Sequence, residues 1–240
     1  MRKLFVKKID GNEFTISGDD HNHLAYSLRA RKGDEITLCA EGVDYIAKII
    51  DITKTETKVI IVGSARSVAE PNTEVTLFFG ALKGDKNDYI VQKCTELGVK
   101  NFVPFISKFS SVREENIKID RLNRIALEAS KQSGRGSVPE VETVKRIDDL
   151  YDLLKEYELI VFPYEYEKEL SLNDFIAKAS RGKTAIVIGS EGGFDESEAE
   201  KIRKISGGSV TLGERILRAD TACVAVTSVV MYELGEWSRR

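Results

Sequence analysis

The hydrophobic pattern changes once along this chain, near residue 66, and that change limits the folds open to it. Up to that point short runs rich in β-branched and aromatic residues follow one another with turn signals between them. Candidate strands are Lys3–Ile9, Phe14–Ser17, Glu35–Ala40, Asp44–Thr53 and Thr57–Gly63. Asp10-Gly11-Asn12 and Glu41-Gly42-Val43 read as hairpin connections, and His21–Arg29 as one short helix. Strands this short and this close together predict a small β-barrel over residues 1–66. Ser67–Thr73, which contains Glu70-Pro71-Asn72, reads as a linker.

Over residues 74–240 strand-like and helix-like stretches alternate. The strand candidates are Glu74–Phe79, Asn101–Ile106, Glu158–Phe162, Thr184–Ile188 and Ser209–Leu212. The helix candidates are Asn87–Leu97, Ile119–Gln132, Ile147–Lys155, Leu172–Ala179, Ser197–Ile205 and Thr221–Glu236. Ile90, Cys94 and Leu97 fall on one helical face, as a buried stripe should. This alternation predicts an α/β domain built on a parallel sheet covered on both faces. Such sheets bind ligands at the carboxyl ends of their strands, so the loops leaving those strands are where chemistry is expected.

Composition removes several other classes. With 42% hydrophobic and 31% charged residues the chain can bury a core and is neither collagenous nor wholly disordered. No run approaches the roughly 18 apolar residues of a membrane-spanning helix. Met1 to Asp10 is basic, but its apolar run, Leu4-Phe5-Val6, is too short for a signal peptide. Cys39, Cys94 and Cys223 are far apart and form no CxxC, which points to reduced thiols in a cytoplasm and not to disulfides or zinc. His21 and His23 lack the further ligands of a metal site, and without a GxSxG motif they do not suggest a hydrolase triad. A net charge of −3 excludes a general basic coat but leaves room for a local basic patch.

Two late loops carry the strongest signals. The first, Gly189-Ser190-Glu191-Gly192-Gly193-Phe194, follows a strand and leads into a helix with Asp195 as N-cap and Glu198 completing a capping box. Its glycines permit close backbone approach to a ligand, though a tight connection with no ligand has the same composition. It is neither a Walker A loop nor GxGxxG. Glu191 repels phosphate, which favours a neutral or cationic ligand. The second loop, Leu212 to Ala222, sets Ile216 and Leu217 between Arg215 and Arg218 before a nearly all-apolar helix. That mixture suits a pocket with an apolar floor and a cation at its mouth, and also a buried loop with surface arginines.

A third signal is a stripe of cations. On the helix from Arg121, the residues Arg121, Arg124, Lys131 and Arg135 share an arc beside the apolar Leu122, Ile125 and Ala129, interrupted by Glu128. Such a stripe can track a phosphate backbone or can be a solvated face with i,i+4 ion pairs. Lys83-Gly84-Asp85-Lys86 is a polar turn that can present lysines to an anion.

Taken in order, these segments resemble the bacterial 16S rRNA (uracil-N3)-methyltransferases of the SPOUT superfamily. The resemblance rests on Ala81-Leu82-Lys83-Gly84-Asp85, on Gln92 to Val99, on Ala126 to Arg135, on Val138-Pro139-Glu140-Val141, and on the loops at Gly189–Phe194 and Leu212–Ala222. His23-Leu24, Leu28-Arg29 and Lys32-Gly33-Asp34 look like that family's small RNA-binding barrel, which is PUA-like. Three features depart from the pattern: Ser190 where proline is usual, Asp220 where glutamate is frequent, and a C-terminal Glu236-Trp237-Ser238-Arg239-Arg240 outside its motifs.

The resemblance implies a C-terminal α/β-knot, a trefoil-knotted parallel-sheet domain, behind the PUA-like barrel, working as a homodimer; the residues themselves give no expectation of metal or membrane. It implies S-adenosylmethionine held by Gly189, Glu191, Gly192, Gly193, Leu212, Gly213, Ile216, Leu217 and Ala222, and methylation of N3 of a single uridine in 16S rRNA of the small ribosomal subunit. Arg218 and Arg135 are the candidates for anion or phosphate contact and Glu128 for the proton acceptor, among Lys93, Glu96 and Gln132. Arg29, Arg31, Lys32, Lys83, Lys93, Arg124 and Lys131 would hold RNA. The other reading of the same barrel and stripe is a non-catalytic RNA-binding or ribosome-assembly factor.

Overall fold

The structure is a computed structural model that describes residues 3–177 and 182–237; parts of the Leu172–Ala179 helix and of the Glu236–Arg240 segment expected from the sequence lie outside the described residues. The chain divides into two compact units. One is the chain up to Glu70 together with Ser130–Val138; the other is Pro71–Ala129 with the chain from Pro139 onward.

The first unit carries β1 (Lys3–Phe5), β2 (Glu13–Ser17), α1 (Gly18–Asn22), β3 (Glu35–Ala40), β4 (Val43–Ile52) and β5 (Glu56–Arg66). They form a curled five-stranded sheet in the order β1-β3-β4-β5-β2, with β1 parallel to β3 and the other neighbours antiparallel. Two register shifts in the β4–β5 pair, at Ile46/Ala47 and Ile49/Asp51, are irregularities of the kind that bend long strands. Leu4, Ile16, Leu24, Ile36, Leu38, Ala47, Ile49 and Val59 form the core. Glu41 and Gly42, both at positive φ (51° and 78°), make the two-residue β3–β4 hairpin expected from the sequence. Asp10-Gly11-Asn12 does not make a hairpin: β1 and β2 lie on opposite edges of the sheet. The expected His21–Arg29 helix begins earlier, at Gly18, and passes from Asn22 into a wider π-type turn over His23–Ser27. His21 is buried there, with Nδ1 2.9 Å from Thr57 Oγ1.

One carboxylate holds Ser130–Val138 in this unit. Glu70 pairs with Arg135 at 2.7 Å and also accepts the backbone N–H groups of Gly136 and Ser137 and the Ser137 hydroxyl. Lys3 adds a bond to Gly134 O at 2.9 Å and an ion pair to Asp44. Arg135 is therefore not the phosphate contact expected of it. Its side chain is 2% exposed, and its charge is spent on Glu70.

The second unit alternates as expected. It contains β6 (Val75–Gly80), α2 (Lys86–Leu97), β7 (Asn101–Ile106), α3 (Ile119–Ser133, whose last residues cluster with the first unit), β8 (Glu140–Val141), β9 (Lys145–Arg146), α4 (Ile147–Leu154), β10 (Leu159–Val161), α5 (Leu172–Ile176), β11 (Thr184–Ile188), α6 (Glu196–Ser206) and α7 (Ala219–Glu233). The sheet runs β10-β11-β6-β7-β8, with β9 also on β7, and every neighbouring pair is parallel. All of β6 and β11 is buried, which is why both read as unbroken apolar runs. Phe78, Val103, Phe105, Ile160 and Val187 pack with α4 and α6 on one face. By strand alternation Leu77, Phe79, Ile186 and Ile188 turn to the other, where α7 packs on β6 and β11 and α2 packs on α7. The expected strand Ser209–Leu212 is reduced to two single bridges, Val210 to Pro163 and Thr211 to Ser171. The three cysteines are buried free thiols, and burial pushes Cys39 and Cys94 up to about 12. Among the described residues no helix is long and apolar enough to cross a membrane.

The Glu70 cluster has a pH signature. Burial alone would raise the Glu70 carboxyl, but the Arg135 hydrogen bond and charge, with the Ser137 and Gly136 donors, outweigh it and hold the group below the ordinary glutamate range. A carboxylate depressed on folding stabilises above its unfolded pKa of roughly 4.3, and that contribution is lost as pH falls through the folded value. Glu70→Ala is expected to cost about 3–5 kcal/mol in urea unfolding at neutral pH, because it takes the carboxylate partner away from a buried guanidinium. The cost should shrink on acidification; equal acid sensitivity of the wild type and the variant would contradict this account.

Candidate active site

Parallel strands deliver their following loops to one edge, and the loops after β6, β7, β10 and β11 all leave that edge. In the β11 loop Ser190 and Gly193 pair with each other, and the Gly193 N–H donates to Ser190 O at 3.0 Å. Gly193 sits at φ +68°, a left-handed position that glycine takes without strain. Gly189 and Gly192 are required for another reason. A Cβ on Gly189 would lie 2.8 Å from the Phe194 ring, and one on Gly192 would lie 2.6 Å from Phe109 O. Gly80, the last residue of β6, is tighter still, with 2.3 Å from a built Cβ to the Ser190 nitrogen. On their Cβ sides Gly189 and Gly192 therefore meet protein, where sequence reading expected a ligand.

The charge of Glu191 is answered within the protein. Its carboxylate meets Lys86 Nζ at 2.7 Å. Burial is the largest single influence and would raise this group, but the Lys86 hydrogen bond and charge together with nearby backbone N–H groups outweigh it and hold the carboxyl below its usual range. The expectation that Glu191 turns anions away is corrected accordingly, since Lys86 balances it. In the same turn the Asn87 side chain bonds both Leu82 N and Leu82 O at 2.9 Å, while Lys83 stays exposed.

The β7 loop is tied to the start of α6. Asp195 and Glu198 form the expected capping box. Lys108 bonds both residues, Nζ to Asp195 at 2.6 Å and its backbone N–H to Glu198 at 2.9 Å. The Lys108 hydrogen bond, followed by those from Ser197, pulls the Asp195 carboxyl down to about 2. In the β10 loop Glu167 accepts the N–H groups of Lys168, Glu169 and Leu170 and the Ser209 hydroxyl at 2.7 Å. That bond fixes the Val210–Leu212 segment beside the carboxyl end of β10.

The second late loop is open. Gly213 has φ +92° and nothing within 4 Å of a built Cβ, and Ile216 is 87% exposed. Leu212 and Leu217 are half-buried, Arg218 is exposed at the N-cap of α7, and Ala222 is buried in its first turn. Two buried oxygens on these loops have no hydrogen-bond partner among the described residues: Ser190 Oγ, on a residue 5% exposed, and Asp220 Oδ1. Leaving such a group unsatisfied costs about 1–3 kcal/mol, so the two mark where a polar ligand would be welcome.

The remaining candidates are dispersed. Arg124, Glu128 and Lys131 lie exposed along α3, while Arg121 of the same stripe pairs with Asp88 and Asp85. Lys93 pairs with Glu96 at 2.9 Å on α2. Arg29, Arg31 and Lys32 are exposed in the first unit, Arg29 at φ +51°. Sequence reasoning missed Gly80, Phe109 and Glu167. Only Gly80 left a signal, as a glycine closing an all-apolar strand.

Comparison with known proteins agrees with this geometry. Residues 69–231 match the model of the RNA methyltransferase domain family. The ribosomal RNA small subunit methyltransferase E of Bacillus subtilis is 30% identical, over 92% of this chain and 90% of its own length. The protein of the same name from Aquifex aeolicus is 34% identical, over 96% and 99%. A crystal structure of the Neisseria gonorrhoeae ribosomal RNA small subunit methyltransferase E bound to S-adenosyl methionine superposes with a TM-score of 0.79 at 28% identity, covering 97% of both chains.

The contact at Gly80 can be tested directly. Gly80→Ala drives a methyl group into the Ser190 backbone and is expected to cost about 1–3 kcal/mol, with Tm lowered by roughly 2–4 °C per kcal/mol. An unchanged melting curve would mean that the β11 loop is not held by this approach.

Proposed function

The chain belongs to the RNA methyltransferase domain family, and on that premise we propose that it methylates N3 of a single uridine in 16S rRNA of the small ribosomal subunit, using S-adenosylmethionine. The observation that carries the cofactor assignment is the pair of unpartnered buried oxygens, Ser190 Oγ and Asp220 Oδ1, on the two loops that the resemblance assigns to it. Their fit is chemical, since an amino acid and a nucleoside offer the polar edges these atoms lack. Gly189, Glu191, Gly192, Gly193, Leu212, Gly213, Ile216, Leu217 and Ala222 are the residues that would hold the cofactor, which when bound supplies a sulfonium-activated methyl group.

The chain's own task is the acceptor. A uracil N3–H is a poor nucleophile until its proton leaves, and in duplex RNA it is engaged in pairing, so the target base is taken unpaired or flipped out. Arg218 steadies the developing anion. Its support is an exposed guanidinium beside the second loop with no ion pair among the described residues. Arg135 is withdrawn from this role because Glu70 holds it, and Glu128 is left as an exposed residue of the α3 stripe. Arg29, Arg31, Lys32, Lys83, Arg124 and Lys131 are exposed cations suited to phosphate contact; Lys93 shares its charge with Glu96.

The finer architecture belongs to the same reading. Residues 1–66, joined by Ser130–Val138, form a PUA-like RNA-binding barrel, and the rest of 74–240 the methyltransferase domain. The curled five-stranded sheet with its exposed arginines supports the first. The return of Val210 and Thr211 beside Pro163 and Ser171 supports a trefoil knot in the second. Exposed Val229, Tyr232 and Trp237 at the end of α7 support a homodimer, and an rRNA substrate goes with a cytoplasmic location.

S-adenosylmethionine at about 100 times its Kd should stabilise the protein by about 2.7 kcal/mol, read as a higher Tm. Arg218→Ala should keep that shift and lose methyl transfer to 16S rRNA on the order of 100- to 1000-fold. Full turnover in the variant would remove Arg218 from the reaction. No cofactor shift in the wild type would favour the non-catalytic RNA-binding or ribosome-assembly reading.

A further inference from the structure

We propose that Phe109 is the platform on which the acceptor nucleobase stacks, an inference that rests on the RNA-methylation reading above. A base taken out of its stack loses its neighbours, and proteins that hold unstacked bases replace them with an aromatic face. Phe109 stands on the β7 loop at the carboxyl edge of the parallel sheet, directly against the glycine loop. The absent Cβ of Gly192 leaves the space where Phe109 Cβ and O sit, at 2.8 Å and 2.6 Å from the position a side chain would take. Its ring is nonetheless in a residue 47% exposed.

The turn that presents this ring is braced at both ends. The Ser107 N–H donates to Ser110 Oγ at 2.9 Å, and the Ser110 N–H donates to Ser107 O at 3.1 Å. Lys108 anchors the middle through its backbone N–H to Glu198 and its ammonium to Asp195. The same ammonium lies over the Phe109 ring, 5.5 Å from its centre. A turn fixed in advance costs little ordering entropy on binding, and about half of this apolar residue is left in solvent.

The other exposed aromatics fit the role less well. Tyr166 stands in a loop with Glu165, Glu167 and Glu169, whose carboxylates oppose an incoming phosphate. Tyr232 and Trp237 pack on each other at the end of α7, Tyr89 stands on α2, and Tyr26, in the first unit, donates its hydroxyl to Lys54 O. Of these exposed aromatics, Phe109 is the one whose atoms stand where a Cβ on a glycine of the loop would lie.

The test uses the full chain and a fluorescein-labelled single-stranded oligouridylate, with binding read by anisotropy. Phe109→Ala should weaken binding roughly 5- to 160-fold, the range seen when one base loses an aromatic partner. Phe109→Trp should restore it, and Phe109→Leu should not. The slope of log Kd against log salt should be the same in all four proteins, because no phosphate contact has changed. The S-adenosylmethionine melting shift should also be the same in all four, which confirms that the glycine loop is intact. Wild-type affinity in Phe109→Ala, or full rescue by leucine, overturns the proposal. So does a wild type that takes up cofactor but binds no oligouridylate. Absence of the cofactor shift in the wild type overturns instead the function from which the proposal starts.

Discussion

Val75–Gly80 and Thr184–Ile188 lie side by side in register, buried on both faces, and the candidate site hangs from that pairing. A strand with no solvent face must be apolar throughout, and it can be served only by helices above and below. Crossovers through those helices bring each strand back in the same direction, so the following loops collect at one edge. The glycine loop is held against that edge by backbone contact: Gly80 ends β6 where any side chain would strike Ser190.

Around this edge the charges are largely settled among themselves. Lys86 answers Glu191, Lys108 answers Asp195, and Arg121 answers Asp88 and Asp85. Partly exposed pairs of this kind add little to stability. Their effect is positional, because each ties a loop after one strand to a loop or helix from another. What remains on the two late loops without an internal partner among the described residues is then informative: two buried oxygens, at Ser190 and Asp220, and the exposed guanidinium groups of Arg215 and Arg218.

Local features were legible in the sequence, and features set by distant residues were not. Asn101–Ile106 and Thr184–Ile188 come out with the bounds that their patterns predict, and Asp195 and Glu198 cap α6 as their spacing requires. The two-residue strands Glu140–Val141 and Lys145–Arg146 carry no pattern of their own and exist only because β7 offers an edge. Asp10-Gly11-Asn12 has turn chemistry, but turn chemistry does not say which strands the turn will join. Arg135 continued the cationic stripe in a helical projection, but its partner lies 65 residues upstream in a segment that reads as a linker. The late glycines were found by composition alone. Their immediate cause, the Phe194 and Phe109 side chains and the Ser190 backbone, needs three dimensions to be seen.

The clustering of Ser130–Val138 with the chain up to Glu70 means that one unit is completed by a segment lying inside the sequence of the other. In genetic terms the two are not cassettes. A single recombination breakpoint between residues 70 and 130 would exchange a sheet while leaving behind the peptide that caps its Glu70 and Lys3. Shuffling such a gene requires matched double crossovers, so Glu70 and Arg135 are inherited together or have to change together.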